Sequence, residues 1–453
     1  MSDPTRGGER HSHTRPRSAR LHLFNSEAGH FALDVASGSI HRLPAEHAST
    51  LDATLRLGDP GRAELAALAF GIMTPTAKEV EVPKSVAVKA VSLAVAQKCN
   101  LGCTYCYAQQ GTFGGTAADM PPDVAKAAID QLVEAAAPGE TLTLAFMGGE
   151  PLVNRGTLHA ATRYAAGKAA ARGIRVGFSM TTNATLLRDE DIELFEEYGF
   201  VLTISLDGLH ATHDQLRPYR SGNGSFQKVA KNVNALLAVE QRRYRVFARV
   251  TVTPRNLDLP EIMSGLLAMG FDAVMFSPML SAPTGKDEML AADLDRLLDQ
   301  LVRCGNIFRE GLRQGRILPF ANVIKTLQRI HFYEQDQYPC GAGGGYMGVS
   351  ADGGLYACHR FVNDEDGLMG NVFDGVDRDK QSSWLENRHL QKQSPCGSCW
   401  ARHLCSGSCH YEAIKRGRPA CDYIRGWLTY CLGLYTELLR AQPDALKKVL
   451  ASP

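Results

Sequence analysis

The chain has 453 residues, 44% of them hydrophobic and 21% charged, which suits a soluble globular protein of about three domains or one large barrel with additions. Its 49 Lys and Arg stand against 48 Asp and Glu, a net charge of +1, so no bulk field draws in a nucleic-acid backbone and no nucleic-acid partner is expected. The first twenty residues lack an apolar core and no eighteen apolar residues run together, so neither a secretory signal nor a membrane partner is expected and the compartment should be the cytoplasm.

Residues 1–19 carry no apolar pattern and read as a disordered tail. From 20 to 80, LHLF, HFALDV and SIHRL read as short strands, and two helical stretches follow around 45–56 and 61–72. TPTAKEVEVPKS, 74–85, reads as a linker. Over 86–285 apolar β-branched runs alternate with helical ones, the βα pattern of a parallel sheet covered by helices. Strands are expected at 92–96, 141–147, 175–180, 201–206, 245–252 and 273–277, which makes an α/β partial (β/α)6 barrel. In such barrels chemistry gathers at the C-terminal ends of the strands.

The strongest motif, CNLGCTYCYA, follows the first of these strands. Cys99, Cys103 and Cys106 are spaced so that three thiolates can close on three irons of one 4Fe-4S cube and leave the fourth iron open. A zinc knuckle short of one ligand, or chance cysteines, is the plainer alternative. Gly148-Gly149-Glu150-Pro151 ends the second strand, Thr182-Asn183 the third and Ser205-Leu206-Asp207-Gly208 the fourth. The segment 286–338 reads as a helical linker, with Cys304 among apolar neighbours as a core side chain. Cysteines then return through 339–435 at positions 340, 358, 396, 399, 405, 409, 421 and 431, and 436–453 reads as a C-terminal helix or tail. Twelve cysteines in a reducing compartment point to metal rather than to disulfides.

The cysteine loop, with Tyr105 before its last thiol, resembles the signature of the radical S-adenosylmethionine (SAM) enzymes. That resemblance implies that the open iron chelates SAM, and that a 5′-deoxyadenosyl radical takes hydrogen from an unreactive carbon. It also implies that Gly148, Gly149 and Glu150 bind the SAM ammonium, that Thr182, Asn183 and Ser205 meet the ribose, and that Arg217 pairs with the SAM carboxylate, a task suited to its fork. An ordinary surface ion pair is the alternative for Arg217, and Asp207 is either a turn former or part of the site. The later cysteines resemble the SPASM extension and imply two auxiliary clusters, for three 4Fe-4S clusters in all. Cys340, Cys358 and Cys409 would hold the first, and Cys396, Cys399, Cys405 and Cys421 the second. Cys431 either completes the first or leaves it with an open iron. A zinc ribbon is the alternative for this series.

Residues 20–80 resemble the PqqD-like leader-recognition modules, in which an edge strand pairs with a precursor peptide; a barrel-capping ornament is the alternative. The whole is most similar to maturases that form sulfur-to-carbon thioether crosslinks in a ribosomally made peptide or small subunit, among them the enzyme of quinohemoprotein amine dehydrogenase. The expected partners are therefore that precursor peptide or subunit and a low-potential electron donor such as flavodoxin or ferredoxin. Rival readings are carbon-carbon or carbon-oxygen crosslinking, formylglycine formation in a sulfatase, and, from another class, a non-catalytic iron-sulfur electron carrier or scaffold. Sulfatase maturases place an Asp after the cysteine that corresponds to Cys358, and here His359 stands there. Imidazole titrates near neutrality, so His359 is the candidate catalytic proton acceptor, packing beside a cluster being its alternative.

Overall fold

A computed structural model describes residues 20–73 and 81–452, so the expected tail, 1–19, and most of the expected linker lie outside the described residues. The chain opens with an antiparallel sheet of β1 (Leu21–Ser26), β2 (Gly29–Asp34) and β3 (Ile40–Leu43), then helices Ala45–Arg56 and Pro60–Ala69. Gly29, at φ +125°, turns the two-residue connection between β1 and β2. Strand alternation gives this sheet two apolar faces. Leu21, Ala32 and Leu43 pack with Leu51 and Ala67 of its own helices, while Phe24, Phe31 and Leu33 join the main core of the protein.

The module is therefore built into the molecule. The His22 ring stacks on Trp400 at 3.5 Å, and Ser26 Oγ meets Thr436 Oγ1 at 3.1 Å. Arg309 bridges Glu27 and Glu437. Gly38, at φ +78°, leaves room for Tyr333, whose ring would lie 2.2 Å from an added Cβ.

The six expected strands are all present, with bounds moved by two residues or fewer: β4 (Ala90–Ala96), β5 (Thr141–Gly148), β6 (Arg175–Thr182), β7 (Val201–Ser205), β8 (Arg245–Val252) and β9 (Ala273–Pro278). They lie side by side, parallel and in chain order. Leu144, Phe146, Met180, Ile204, Ala248 and Val250 are buried in the core with the covering helices, so the residues between them turn to the opposite, concave side.

The sheet does not stop at six strands. β10 (Tyr346–Val349) pairs in parallel with β4, Tyr346 opposite Ala90, and β11 (Gly354–Tyr356), β12 (Leu368–Asn371) and β13 (Gly375–Val376) continue it antiparallel. The expected barrel and the expected cysteine-rich domain thus share one ten-stranded sheet. The physical reason lies in β4, whose Val91, Leu93 and Val95 are buried along with Ser92 and Ala94; a strand so enclosed could not leave its backbone edge to water. The expected break at 435/436 is also absent, because one helix, Cys421–Ala441, runs through it and packs on Ala291–Arg313, Ala321–Phe332 and β1. Among the described residues, no helix is long and apolar enough to cross a membrane.

Candidate functional site

The C-terminal end of β4 delivers the cysteine loop to the mouth of the concave face. The loop is pinned by backbone hydrogen bonds, Gly102 N to Pro218 O at 2.8 Å and Thr104 N to Leu216 O at 3.1 Å. Cys99, Cys103 and Cys106 are half-buried and near enough for their charges to act on one another. Leu101 N donates to Cys99 Sγ at 3.4 Å and Gln110 N to Cys106 Sγ at 3.3 Å. Burial, with the Glu150 carboxylate adding to it, pushes the Cys99 thiol up to about 11, and burial pushes Cys103 up to about 12. Such thiols stay protonated at neutral pH until a cation takes the proton's place, so loading iron here releases protons.

Glu150 is fully buried and its carboxylate accepts three hydrogen bonds, from Thr182 Oγ1 at 2.7 Å, Asn183 N at 2.7 Å and Leu152 N at 3.1 Å. Burial raises its pKa against those bonds. The two glycines before it serve the protein backbone first: a Cβ on Gly148 would lie 2.3 Å from Ala96 O, and one on Gly149 would lie 2.4 Å from Lys98 O. Their smallness lets β5 end against the cysteine loop. Thr182 and Asn183 take a different part from the expected ribose contact. Both are buried and engaged, Thr182 on Glu150 and Asn183 on Thr185, Asn100 Oδ1 (3.0 Å) and Cys99 Sγ (3.8 Å), so they brace the carboxylate and the loop. Ser205 is half-buried on the concave side and makes no side-chain hydrogen bond to a described residue.

Tyr105 and Arg217 meet at a third residue, Asp207. The Tyr105 hydroxyl donates to the Asp207 carboxylate, Arg217 Nη1 donates to the Tyr105 oxygen at 2.6 Å, and the Arg217–Asp207 pair spans 3.6 Å. Thr251 N donates to Asp207 at 2.9 Å. Asp207 is therefore the anchor of the group, and its place at the end of β7, as in Ser205-Leu206-Asp207-Gly208, was the available signal. Arg217 Nε is buried without a partner, and Glu150 keeps room for a further donor. Three gathered thiols, backbone donors on their sulfurs, an unpaired guanidinium N–H and a buried carboxylate fit a 4Fe-4S cluster that carries SAM.

Two further thiol groups form in the C-terminal third. Cys358, at the end of β11, lies near Cys340 and Cys409, and burial pushes its thiol up to about 12. Cys396, Cys399, Cys405 and Cys421 interact in the same way with one another, under the charges of Arg418 and Arg425. Among the described residues no three His, Cys, Asp or Glu side chains converge as a single metal ion would need. A cube does not ask for that convergence, because its thiolates bind different irons.

Cys431 is not brought to either group. It is fully buried in the helix Cys421–Ala441, bonded to Thr326, so the expectation that it is a ligand gives way to a core role, and Cys304 is likewise 0% exposed. His359 is held in place as well. Its Nδ1 shares a hydrogen bond with the Tyr346 hydroxyl at 2.8 Å, and burial, then Arg360 and Arg249, push its pKa down to about 3. An imidazole held neutral in this way is a weak proton acceptor. Tyr107, unremarked in the sequence, lies 6.0 Å from the His359 ring, and burial, with the Cys106 and Cys358 thiols adding to it, pushes its pKa up.

The sequence profile of the Radical SAM superfamily matches residues 93–266, from inside β4 to the helix Leu259–Ala268. Residues 93–266 are a radical SAM domain. A serine-type anaerobic sulfatase-maturating enzyme from Klebsiella aerogenes is 25% identical to this chain over 345 residues, which cover 72% of the chain and 81% of the relative. The structure of anSMEcpe with bound AdoMet superposes with a TM-score of 0.67 at 18% identity, over 80% of this chain and 97% of that one. Streptococcus suis SuiB bound to its precursor peptide SuiA superposes with a TM-score of 0.52 at 16% identity, over 90% of this chain and 98% of that one. At these identities the solved structures establish likeness of fold. The radical SAM domain here holds the cysteine loop, Glu150, Asp207 and Arg217, and the two later thiol groups lie beyond its end.

Proposed function

We propose that this chain is a radical SAM maturase that oxidises a side chain of a peptide or protein substrate, using three 4Fe-4S clusters. The observation that supports the reading is that the Cys106 and Cys358 thiols both lie near enough to the Tyr107 hydroxyl for their charges to act on it, which brings the first cysteine set close to the second. When bound, the reduced cluster and SAM would supply the radical that removes a hydrogen atom. This chain's residues do the rest. Arg217 and Glu150 would orient the amino acid end of SAM, and Asp207 holds Arg217 and Tyr105 in place. The second and third thiol groups offer a place for the electron left over after oxidation.

Two products are in contention. Similarity to sulfatase-maturating enzymes favours formylglycine, made from a substrate Cys or Ser, over the thioether suggested by the cysteine motifs. A specific observation keeps the thioether as a second reading: the group at Cys358 has three thiols, and the next residue is a neutral His359 in place of a carboxylate. High-resolution mass spectrometry of the product separates them. Formylglycine gains an aldehyde that captures hydrazine, whereas a thioether loses about 2 Da per crosslink and protects a cysteine from alkylation. A hydrazine adduct would end the thioether reading, and its absence together with a protected cysteine would end the other.

The module at 20–73 bears on the substrate too. Its order β1-β2-β3 leaves two edges, and β1 is covered by the helix Cys421–Ala441. We assign β3 as the edge that takes the leader of a precursor peptide by strand addition. Blocking that edge with Arg42→Pro should weaken precursor binding by about tenfold or more while SAM cleavage without substrate persists. Fluorescence anisotropy with the labelled precursor decides it, and an unchanged affinity would favour the ornament.

A further inference from the structure

Between β9 and the helix Ala291–Arg313 the chain folds into a loop, residues 279–290. Its ends close on each other, Met289 N donating to Met279 O at 2.9 Å, and both methionines are buried. Gly285, at φ +68°, turns the tip, where residues 283–286 are exposed. A loop closed in this way is a compact unit whose shape is fixed by its own contacts. It leaves the C-terminal end of β9, and the strands β4 to β9 are parallel, so it stands at the same end of the sheet as the cysteine loop.

Asp287 carries the loop to the cysteines. Its Oδ2 accepts from Thr104 Oγ1 at 2.5 Å, across 183 positions of sequence, and Thr104 lies between Cys103 and Tyr105. Arg255 Nη1 stands 3.7 Å from the same oxygen, and the Asp287 side chain is only 9% exposed. The residue has φ +58°, a left-handed conformation that aspartate tolerates well. Met279 and Ala282 pack with Tyr105 and Leu216, so the loop also rests on the aromatic side chain next to Thr104. Two anchors tie it to the C-terminal third of the chain. Glu288 pairs with Arg416 while accepting from Ala282 N at 2.7 Å, and Ser281 O accepts from Arg360 Nη2 at 3.4 Å. Backbone bonds to Pro218 and Leu216 hold the cysteine loop from one side, and Asp287 holds it from the side of β9 through a bracket that is itself pinned.

We propose that Asp287 is a positioning residue for SAM cleavage: by holding the Thr104 hydroxyl it fixes the turn between Cys103 and Cys106, and with it the place of the first cysteine set relative to SAM. The inference rests on the radical SAM maturase reading and deepens it. A hydroxyl bonded to a carboxylate is a strong, charge-assisted contact, and the carboxylate is steadied in turn by Arg255. Such support matters because a displacement of about 1 Å in a reacting group can cost on the order of a hundredfold in rate while every reacting residue is still present. Arg217 and Glu150, which lie on other strand ends, are not touched by this contact, so the loss should fall on the rate of cleavage and spare the binding of SAM.

The test uses the anaerobically reconstituted full chain with SAM and dithionite, and needs no peptide. Thr104→Val removes the hydroxyl and leaves Asp287 and its backbone alone, and Asp287→Ala removes the acceptor. Both should lower kcat for 5′-deoxyadenosine formation about tenfold or more, with KM for SAM within about twofold and iron per chain unchanged. Thr104→Ser and Asp287→Asn, which can still make the bond, should recover most of the rate. Combining Thr104→Val with Asp287→Ala should cost no more than either alone, as expected when both remove one contact. The EPR difference between reduced enzyme with and without SAM reports the first cluster, and it should change in Thr104→Val and return in Thr104→Ser. An unaltered kcat and EPR difference in Thr104→Val overturns the proposal, even if Asp287→Ala fails to fold. Costs that multiply in the double variant, a rise in KM in place of the fall in kcat, or lost iron would each overturn it too, since they would make Asp287 a general support, a SAM contact or a loading residue. The maturase reading fails separately: an unaltered enzyme that makes no 5′-deoxyadenosine sinks that reading, while the EPR comparison of Thr104→Val with Thr104→Ser still judges Asp287.

Discussion

Replacing Cys99, Cys103 and Cys106 by Ala is expected to abolish reductive cleavage of SAM, with 5′-deoxyadenosine falling to background. The loop that carries them is held by Gly102, Thr104 and Leu101 through backbone bonds to Pro218 and Leu216 and a bridge to Tyr219, none of which needs the thiols. The side chains are half-buried, so their loss opens little core and the fold should survive. Iron per chain should drop from about twelve to about eight, because a cube of four irons loses its ligands. Replacing Cys396 and Cys399 should cost the same iron but leave some SAM cleavage while ending product formation. Chromatography of 5′-deoxyadenosine beside mass spectrometry of the peptide reads both. Iron near four with stoichiometric zinc in the unaltered protein would sink the auxiliary clusters, and product from both variants would sink the division of labour.

Asp207→Ala is expected to be the most damaging single change outside the cysteines. The carboxylate holds the Tyr105 hydroxyl, the Thr251 N–H and the Arg217 guanidinium, all within a shell where Asp207 itself is fully buried. Removing it leaves a buried cation and two donors without their partner, which costs about 3–5 kcal/mol in comparable buried pairs. Arg217, no longer fixed, should lose its aim at SAM, so SAM affinity should fall together with stability. Asp207→Asn keeps the shape and an acceptor for Thr251 and should be milder in stability than in SAM binding. Urea unfolding with equilibrium dialysis of SAM measures the two effects. Normal stability and normal SAM affinity in Asp207→Ala would reduce Asp207 to a turn former.

The cysteine loop and all six strands of the radical SAM domain were legible because each depends on local pattern: thiol spacing of three and two residues, and apolar runs with period two. Which face each polar residue would take was less legible. Thr181 and Thr182 differ by one position, yet the pleat sends Thr182 into the buried layer to bond Glu150. Sequence order likewise offered His359 as a base, but its basicity depends on Tyr346, Arg249 and Arg360, brought from two other strands and the same turn.

By itself the sequence determined the strands of residues 20–285 and their βα alternation, since those are properties of neighbours along the chain. Only the tertiary structure decided that β10 completes the open edge of β4, that Cys431 lies in the core apart from both later thiol groups, and that Asp207 joins Tyr105 to Arg217. Such facts join residues tens to hundreds of positions apart. They are set by which buried backbone edge must be covered and which charge finds a partner, and those are settled by packing in three dimensions.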